Sequence, residues 1–208
     1  MSDAADLDLP VAGTVVLLRP GAGGVEVLLL RRPGRGSFAG AWVFPGGKVE
    51  DSDRRPGAPE EEDAGRAGVR ETFEEVGLAV HDPVMLSRWQ PPVEAPVRIR
   101  TWFFLAAAPD GELTPSEGEV VDTAWVTPAQ ALERHAAGQW ALFPPTWMTL
   151  HELRDAVSVE SALASAGIAR MFTTQVHETD HGTAFVWDDL RLETGSLPWR
   201  LVITGDDD

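Results

Sequence analysis

Hydrophobic residues in the first quarter of the chain come in short, β-branched runs that favour strands. Segments 11–20 and 24–33 ("VAGTVVLLRP" and "GVEVLLLRRP") are separated by "GAGG" and predict a β-hairpin. Segment 33–40 predicts a loop, and segment 41–47 predicts a short strand that ends in Pro45-Gly46-Gly47. The charged, proline-containing segment 48–63 predicts an exposed loop.

The hydrophobic pattern then changes to a helical period. Residues 60–76 predict a helix, with Pro59 near its start and Gly77 just past its end. Its apolar residues recur at i, i+4 and i+7, and they are Val69, Phe73 and Val76. We expect this stripe to pack against the core.

Strands return after this helix, and further helices follow. Strands are predicted in segments 78–89, 96–108 and 115–126, with a turn at 109–112, and a small β region at 171–203. Helices are predicted at 127–138, where Thr127 is the N-cap and Pro128 the first helical residue, and in the segments "PPTWMTLHELRDA" and "VSVESALASAG". We expect one domain over residues 1–208, with a core at 8–140 and a C-terminal helical and β extension at 141–208.

The composition of the chain excludes some classes of function. The chain of 208 residues has a formal net charge of −16 and no cysteine, which excludes disulfides and zinc sites built on cysteine. The start "MSDAADLDLP" lacks the features of a signal peptide, and no apolar run reaches the ~18 residues of a membrane span. We therefore expect a cytoplasmic protein that binds neither membrane nor specific nucleic acid. Phosphate substrates stay open, because bound divalent cations reverse a local negative field.

The predicted helix carries three glutamates on the side opposite its apolar stripe. Glu71, Glu74 and Glu75 lie at i, i+3 and i+4, where like charges destabilise a helix. A solvated acidic face is one interpretation. The other is a Mg²⁺ site, because this ion prefers several hard oxygen ligands. Gly46 and Gly47 allow the backbone to approach closely, so a carbonyl oxygen there is a further candidate ligand.

The stretch from Gly47 to Leu78 resembles the signature box of the Nudix hydrolases, G-x5-E-x7-R-E-U-x-E-E-x-G-U. Its matching residues are Gly47, Glu62, Arg70-Glu71, Glu74-Glu75 and Gly77-Leu78. "FPGG" just before the box is also typical of this family. The chain departs from the pattern in two ways. Fourteen residues separate Gly47 from Glu62 where the pattern has five, and Thr72 replaces an aliphatic residue.

The resemblance implies an α/β fold of the α+β type, an α/β/α sandwich around a mixed central sheet. It implies that Mg²⁺ or Mn²⁺ ions are held by Glu71, Glu74, Glu75 and the carbonyl of Gly46. Arg70 is expected to orient a box glutamate. The general base is expected to be a box carboxylate, Glu74 or Glu75, or else a loop glutamate.

For the loop glutamate the sequence leaves two candidates open. Glu119 lies six residues before Trp125, where some members of the family carry such a residue, and Glu117 is its competitor. An ordinary loop acid is as good an account of each.

The resemblance also implies the reaction, hydrolysis of the phosphoanhydride in a nucleoside diphosphate linked to a second group X. Candidate substrate-binding residues are Arg31, Arg32, Gly47 and Trp102, with Trp42 and Trp89 as further stacking candidates. Solvated surface charge is as good an account of the two arginines, and aromatic residues on strands are more often part of a core. The interrupted box and the segments "RTWFF" and "LFPPTWMTLHEL" resemble loosely a subgroup that includes coenzyme A and acyl-CoA diphosphatases. ADP-ribose, NADH and nucleotide sugars are further candidate substrates. The helices after residue 140 are expected either to cap the cleft or to form the contact of a homodimer.

Two other functions are considered. Some proteins of this fold bind nucleotides as sensors without hydrolysing them, although a sensor is expected to lose box carboxylates, and this chain keeps them all. "HETDH" at 177–181 matches the zinc metalloprotease pattern H-E-x-x-H, which requires a helix. The β-branched residues before it and the "HGT" after it favour a strand and a turn with exposed histidines instead.

Overall fold

A computed structural model describes residues 9–36, 38–180 and 182–204. Among these residues an eight-stranded main sheet is formed by β1 (Val11–Gly21), β2 (Gly24–Arg31), β3 (Trp42–Val43), β4 (Gly46–Lys48), β5 (Val84–Gln90), β6 (Arg100–Ala107), β7 (Asp122–Val126) and β8 (Arg170–Thr173). A second sheet contains β9 (Gln175–Thr179), β10 (Gly182–Trp187), β11 (Leu190–Glu193) and β12 (Arg200–Ile203). The helices are α1 (Glu60–Val76), α2 (Pro128–Ala136), α3 (Pro144–Leu153) and α4 (Val159–Ala164).

The main sheet is mixed, as predicted. Its order is β3-β2-β1-β6-β5-β8, and β4 and β7 pair with β1 and β2 respectively. Strand β1 runs parallel to β6, and β5 runs parallel to β8, whereas β1 and β2 form the predicted antiparallel hairpin.

Two layers cover this sheet, because successive side chains of a strand point to opposite faces. Val15 of β1 belongs to a buried cluster with Val76 of α1. Val16, the next residue, belongs to the large cluster that contains Met148 of α3 and Trp187 of the second sheet. Helix α1 therefore lies on one face, and α2, α3, α4 and the second sheet lie on the other, which confirms the predicted sandwich.

The predicted helix boundaries are largely confirmed. Helix α1 covers the predicted span and ends at Gly77, whose φ of 75° is left-handed. Thr127 caps α2 in a capping box, in which its side chain accepts from the Gln130 N–H and the Gln130 side chain accepts in return. Within the described residues, no helix combines the length and hydrophobicity needed to cross a membrane.

Several strand predictions were too long. The segment 41–47, predicted as one strand, contains the short strand β3 and the start of β4. The strand predicted at 78–89 begins only at Val84, and the strand predicted at 96–108 begins only at Arg100. Proline and turn residues ahead of each strand interrupt its ladder. In the predicted β region, β8 adds to the main sheet through parallel pairing with β5, which the sequence does not indicate.

The predicted apolar stripe of α1 was only partly right. Val76 is buried, but Phe73 is 57% exposed. The residues that α1 turns to the sheet are small or polar, namely Ala64, Gly68 and Thr72. A Cβ atom placed on Gly13 of β1 would lie 1.8 Å from the Ala64 carbonyl oxygen, so backbone meets backbone here. The absence of bulky side chains sets how close α1 lies to the sheet.

Candidate active site

The close packing of α1 on β1 brings its carboxylates beside β4. Glu75 is only 1% exposed. Its Oε2 accepts a hydrogen bond from the Gly46 backbone N–H at 2.9 Å, and its Oε1 forms an ion pair with Arg32. Burial raises the pKa of Glu75 to about 7, although Arg32 and the Gly46 N–H act against this shift. Glu75 is therefore a buried carboxylate whose charge depends on nearby positive groups.

Glu71 lies one turn before Glu75 and touches the glycines of β4. A Cβ atom placed on Gly47 would lie 2.1 Å from the Glu71 carboxyl carbon, so any larger residue here would displace the Glu71 carboxylate. Burial raises the pKa of Glu71, Arg70 lowers it, and the charges of Glu74 and Glu119 raise it further. Gly47, predicted as a substrate contact, thus packs against a carboxylate.

Glu74 has a different environment from the other two box glutamates. Its side chain is 52% exposed, and its Oε2 lies 2.9 Å from the Arg70 guanidinium. Arg70 also lies 3.0 Å from Glu71. Arg70 therefore contacts two box glutamates, which is the arrangement that its predicted orienting role requires.

Arg70 is itself held by Asp53, which was predicted to lie in an exposed loop. Asp53 is 4% exposed, and its two oxygens accept from Arg70 at 3.1 and 3.0 Å. Burial acts to raise the pKa of Asp53, but the hydrogen bonds from Arg70 and the Glu50 N–H outweigh it and lower this pKa. The hydrogen bond to Asp53 in turn raises the pKa of Arg70. The loop between β4 and α1 is thus fastened to the helix through a buried ion pair.

This ion pair corrects the alignment of the box. Glu62, taken as its isolated glutamate, is 59% exposed and contacts Arg66 at 3.6 Å. Asp53 follows Gly47 after five residues, which is the spacing in the pattern, and it is the acid that meets Arg70. The extra residues therefore lie after this acid. The signal was present in the sequence, but the search for Glu rather than Asp missed it.

A cavity of about 470 Å³ lies in front of these carboxylates. Its walls combine box, loop and strand-end residues, which are Arg32, Pro33, Arg35, Gly36, Glu71, Glu75, Gly118 and Glu119. The tertiary structure thus brings Glu119 to the box glutamates, whereas Glu117 lies outside this set. Arg35 and the backbone around it were not predicted, because a loop arginine carries no sequence signal of its own.

Two of the predicted substrate contacts lie elsewhere. Arg31 is exposed and is not among the residues that line the cavity, because alternate side chains of β2 point to opposite faces. Trp102 is 5% exposed, packs near Ala64 of α1 and donates its indole N–H to Glu60 at 2.8 Å. The ring lies in the core beneath the start of α1 and is not among the residues that line the cavity, so its predicted substrate contact stays a prediction.

A larger cavity, of about 760 Å³, lies on the opposite side of α1. Apolar side chains such as Val84, Met85 and Phe104 form part of its wall, and Glu71, Glu75 and Glu119 are absent from its lining. Charged side chains such as Asp53, Glu62 and Arg70 also line it, but Glu71 and Glu75 of the box and the loop residue Glu119 converge only on the smaller of these two cavities. The smaller cavity is therefore the candidate active site.

The residues of the smaller cavity fit a hard divalent cation by their donor chemistry. Glu71, Glu75 and Glu119 offer carboxylate oxygens, and Gly47 of β4 lets the Glu71 carboxylate lie close to the backbone. In the part of the chain that the structure describes, no three acidic or histidine side chains already form a metal cluster. Arg70 and Arg32 hold Glu74 and Glu75 in ion pairs instead.

The zinc protease pattern is not on a helix. Residues Gln175–Thr179 form strand β9, in which His177 is exposed, and His181 lies outside the described residues. Because the pattern requires two histidines on one helical face, the protease interpretation is wrong.

Comparison with known proteins agrees with the fold and the box. A family model described as the NUDIX domain matches residues 9–146. The NUDIX hydrolase from Alicyclobacillus acidocaldarius is 24% identical, with a TM-score of 0.68 over 76% of this chain and 96% of that chain. The MutT NUDIX hydrolase from Burkholderia pseudomallei is 26% identical, with a TM-score of 0.53 over 70% of this chain and 98% of that chain.

The description of a third similar structure names a ligand. It is the NUDIX domain of Shewanella oneidensis NrtR complexed with ADP ribose, 17% identical, with a TM-score of 0.56 over 74% of this chain and 98% of that chain. The family model covers most of this chain, and Glu71 and Glu75 of the box line the smaller cavity. The chain is therefore a member of the Nudix family and, by class, a pyrophosphohydrolase.

Proposed function

We propose that this protein is a Mg²⁺- or Mn²⁺-dependent hydrolase that cleaves the phosphoanhydride of a nucleoside diphosphate linked to a second group X. The observation that supports this function is the meeting of Glu71, Glu75 and Glu119 with Arg32 and Arg35 around one cavity. Carboxylates that hold cations, next to arginines that bind phosphate oxygens, are the parts that such a reaction requires.

In this proposal Glu71, Glu74, Glu75 and the Gly46 carbonyl would hold the cation. The bound ion would neutralise charge on the phosphate oxygens and lower the pKa of the attacking water. Glu75 shares its charge with Arg32 in the present structure. Arg32 is then free to turn to a substrate phosphate once Glu75 has another positive partner.

We assign the proton transfer to Glu119, with Glu74 and Glu75 as the alternatives within the box. Glu119 lines the cavity from a loop, and its charge raises the pKa of Glu71. It would accept the proton of a water that attacks one phosphorus in line with the leaving phosphate. Arg70 would keep Glu71 and Glu74 in position, and Asp53 would keep Arg70 in position.

For the substrate we propose a CoA-type or ADP-ribose-type diphosphate. The interrupted box supports the first, and the ADP ribose described for the NrtR domain supports the second. Either substrate places a diphosphate next to a nucleotide. In this proposal the binding partner is a small molecule. The extension after residue 140 is a candidate contact surface for a homodimer.

The test is a screen with Mg²⁺ and Mn²⁺ over CoA, acyl-CoA, ADP-ribose, NADH and nucleotide sugars, in which the two phosphomonoester products are separated and quantified. We expect turnover of one class, its loss in Glu75→Gln, and a fall of roughly 10²–10⁴ in kcat in Glu119→Gln. Glu117→Gln is the matched control from the same loop and should retain activity. Turnover that survives Glu75→Gln would contradict the proposal, and nucleotide binding without any turnover would favour a sensor.

A further inference from the structure

Backbone hydrogen bonds join the described residues 32–36 and 38–41, which lie between β2 and β3. Arg32 N–H donates to the Ala41 carbonyl at 2.9 Å, Gly40 N–H donates to the Pro33 carbonyl at 3.0 Å, and Ala41 N–H donates to the Phe38 carbonyl at 3.0 Å. Because the loop is closed in this way, Phe38 has a defined place in it.

Phe38 is unusual in this loop for two reasons. It is 43% exposed, and its φ of 60° lies in the left-handed region, which a bulky side chain rarely adopts. Glycine would relieve that strain, and polar residues would suit the exposure. Residues with strained backbones concentrate at ligand-binding sites. Packing in the core does not explain why a phenylalanine occupies position 38, and ligand binding would.

A second exposed phenylalanine meets Phe38 from another part of the chain. Phe143, the residue before α3, is 41% exposed, and its ring centroid lies 4.9 Å from that of Phe38 with an angle of 87° between the rings. Its segment is anchored, because the Trp42 ring stacks on Trp140 at 4.0 Å and the Trp42 backbone N–H donates to the Ala141 carbonyl at 2.9 Å. Two perpendicular rings on fixed backbone form an aromatic corner, made of Phe38 and Phe143.

The aromatic corner lies close to the proposed phosphate site. Gly36 lines the cavity and is two residues from Phe38, so their Cα atoms are at most about 7 Å apart. Arg35 lines the same cavity. A ligand whose phosphates lie between Arg35 and the glutamates would therefore have one of its two ends near the corner.

We propose that the Phe38–Phe143 corner binds the nucleobase of the substrate, which makes these two residues specificity-determining. Every nucleobase has a flat face, and aromatic side chains bind such faces by stacking. A base lying flat on one ring would meet the other ring at its edge, the two arrangements that aromatic pairs prefer. This inference rests on the proposed function, because the phosphates fix where the base would lie.

The experiment compares binding of AMP, GMP, CMP and UMP with binding of ribose 5-phosphate, which lacks a base, to the full chain with Mg²⁺. We expect Phe38→Ala and Phe143→Ala to weaken binding of the preferred nucleotide about tenfold and to leave ribose 5-phosphate unchanged. Phe38→Leu keeps an apolar side chain and removes the ring, so it should behave as Phe38→Ala does. Phe73→Ala, at an exposed phenylalanine of α1, is the matched control and should bind all ligands as the wild type does.

The outcomes separate this inference from the proposed function. If the wild type binds ribose 5-phosphate as tightly as every nucleotide, or if the corner variants keep their preference for nucleotides, the inference is wrong. Hydrolysis with an unchanged KM in the corner variants would overturn the inference alone. A base-dependent loss of binding in a protein without turnover would uphold the corner and reject the hydrolysis.

Discussion

At the scale of single residues, the site depends on how each buried carboxylate is compensated. Asp53 receives two hydrogen bonds from Arg70, and its pKa is lowered, so it is ionised in the folded protein. Glu75 has Arg32 and one backbone N–H, and its pKa is raised to about 7. Protein groups therefore fully compensate the negative charge of Asp53. The ionised form of Glu75 would be stabilised further by an added positive charge.

The first prediction concerns Asp53. Asp53→Asn should lower the free energy of unfolding by roughly 1–3 kcal/mol, because a buried hydrogen bond to a charged partner is lost. Asp51→Asn is the matched control from the same loop, since Asp51 is fully exposed and lies 3.9 Å from Arg54. Its effect on the free energy of unfolding should be negligible, because water screens the charge of an exposed side chain. Urea unfolding at pH 7 measures both, and equal effects would show that Asp53 does not fasten the loop.

The second prediction concerns the pH dependence due to Glu75. The pKa of Glu75 is about 7 in the folded protein against an ordinary value of 4.5, so between these values the folded state binds more protons than the unfolded state. The free energy of unfolding should therefore fall as pH rises through this range. Glu75→Gln should flatten this part of the profile, whereas exposed Glu112→Gln should not.

Urea unfolding of the metal-free protein from pH 5 to pH 8 measures this profile. An equally steep fall in Glu75→Gln would assign it to other groups, such as Glu71 and Glu152, whose pKa values burial also raises. If the proposed function holds, Mg²⁺ should stabilise the protein more at pH 8 than at pH 6, because it binds the ionised carboxylate.

At the scale of elements, the position of α1 follows from small residues rather than from an apolar stripe. Gly13 and Gly68 allow the helix to approach β1. Thr72, which departs from the family pattern, is fully buried, and its hydroxyl donates to the Gly68 carbonyl at 2.7 Å. Its polar group is satisfied within the helix, so the departure leaves the packing intact.

The third prediction tests this contact. Gly13→Ala should lower the free energy of unfolding by about 2–3 kcal/mol, because its Cβ atom would overlap backbone that has no room to move. Gly65→Ala, within α1, would place its Cβ atom 3.5 Å from the Phe104 ring, an ordinary contact. It should stabilise the helix by up to about 1 kcal/mol. Denaturant unfolding measures the stability of both variants. A Gly13→Ala variant as stable as the wild type would contradict the close approach of α1 to β1.

At the scale of the whole molecule, residues after 140 share the core with the first part of the chain. Phe172 of β8 stacks on Trp89 of β5 at 3.9 Å with an angle of 2° between the rings. Trp187 of the second sheet meets the same Trp89 ring edge-on at 5.4 Å. The predicted division into core and extension stays a prediction, but these contacts make the two parts depend on each other.

The fourth prediction follows from this shared core. Phe172→Ala should lower the free energy of unfolding by about 3–5 kcal/mol in a single transition, because a buried ring is removed. The neighbouring Met171 is 43% exposed, so Met171→Ala should cost about 1 kcal/mol or less. Calorimetry measures both. A separate, early transition in Phe172→Ala would show that the C-terminal part unfolds independently.

The sequence by itself determined the elements and the family. Strand runs, capping residues and Gly77 act over a few neighbouring positions, so the hairpin, the helices α1 to α4 and the box with Glu71, Glu74 and Glu75 could be predicted. The tertiary structure alone decided which side chains meet. It placed Glu119 and Arg35 beside the box, Trp102 in the core and Phe38 against Phe143, whereas the spacing of Asp53 from Gly47 was already in the sequence. The physical reason is that these pairings depend on how β1, α1 and distant loops pack, and such contacts leave no periodic signal in the chain.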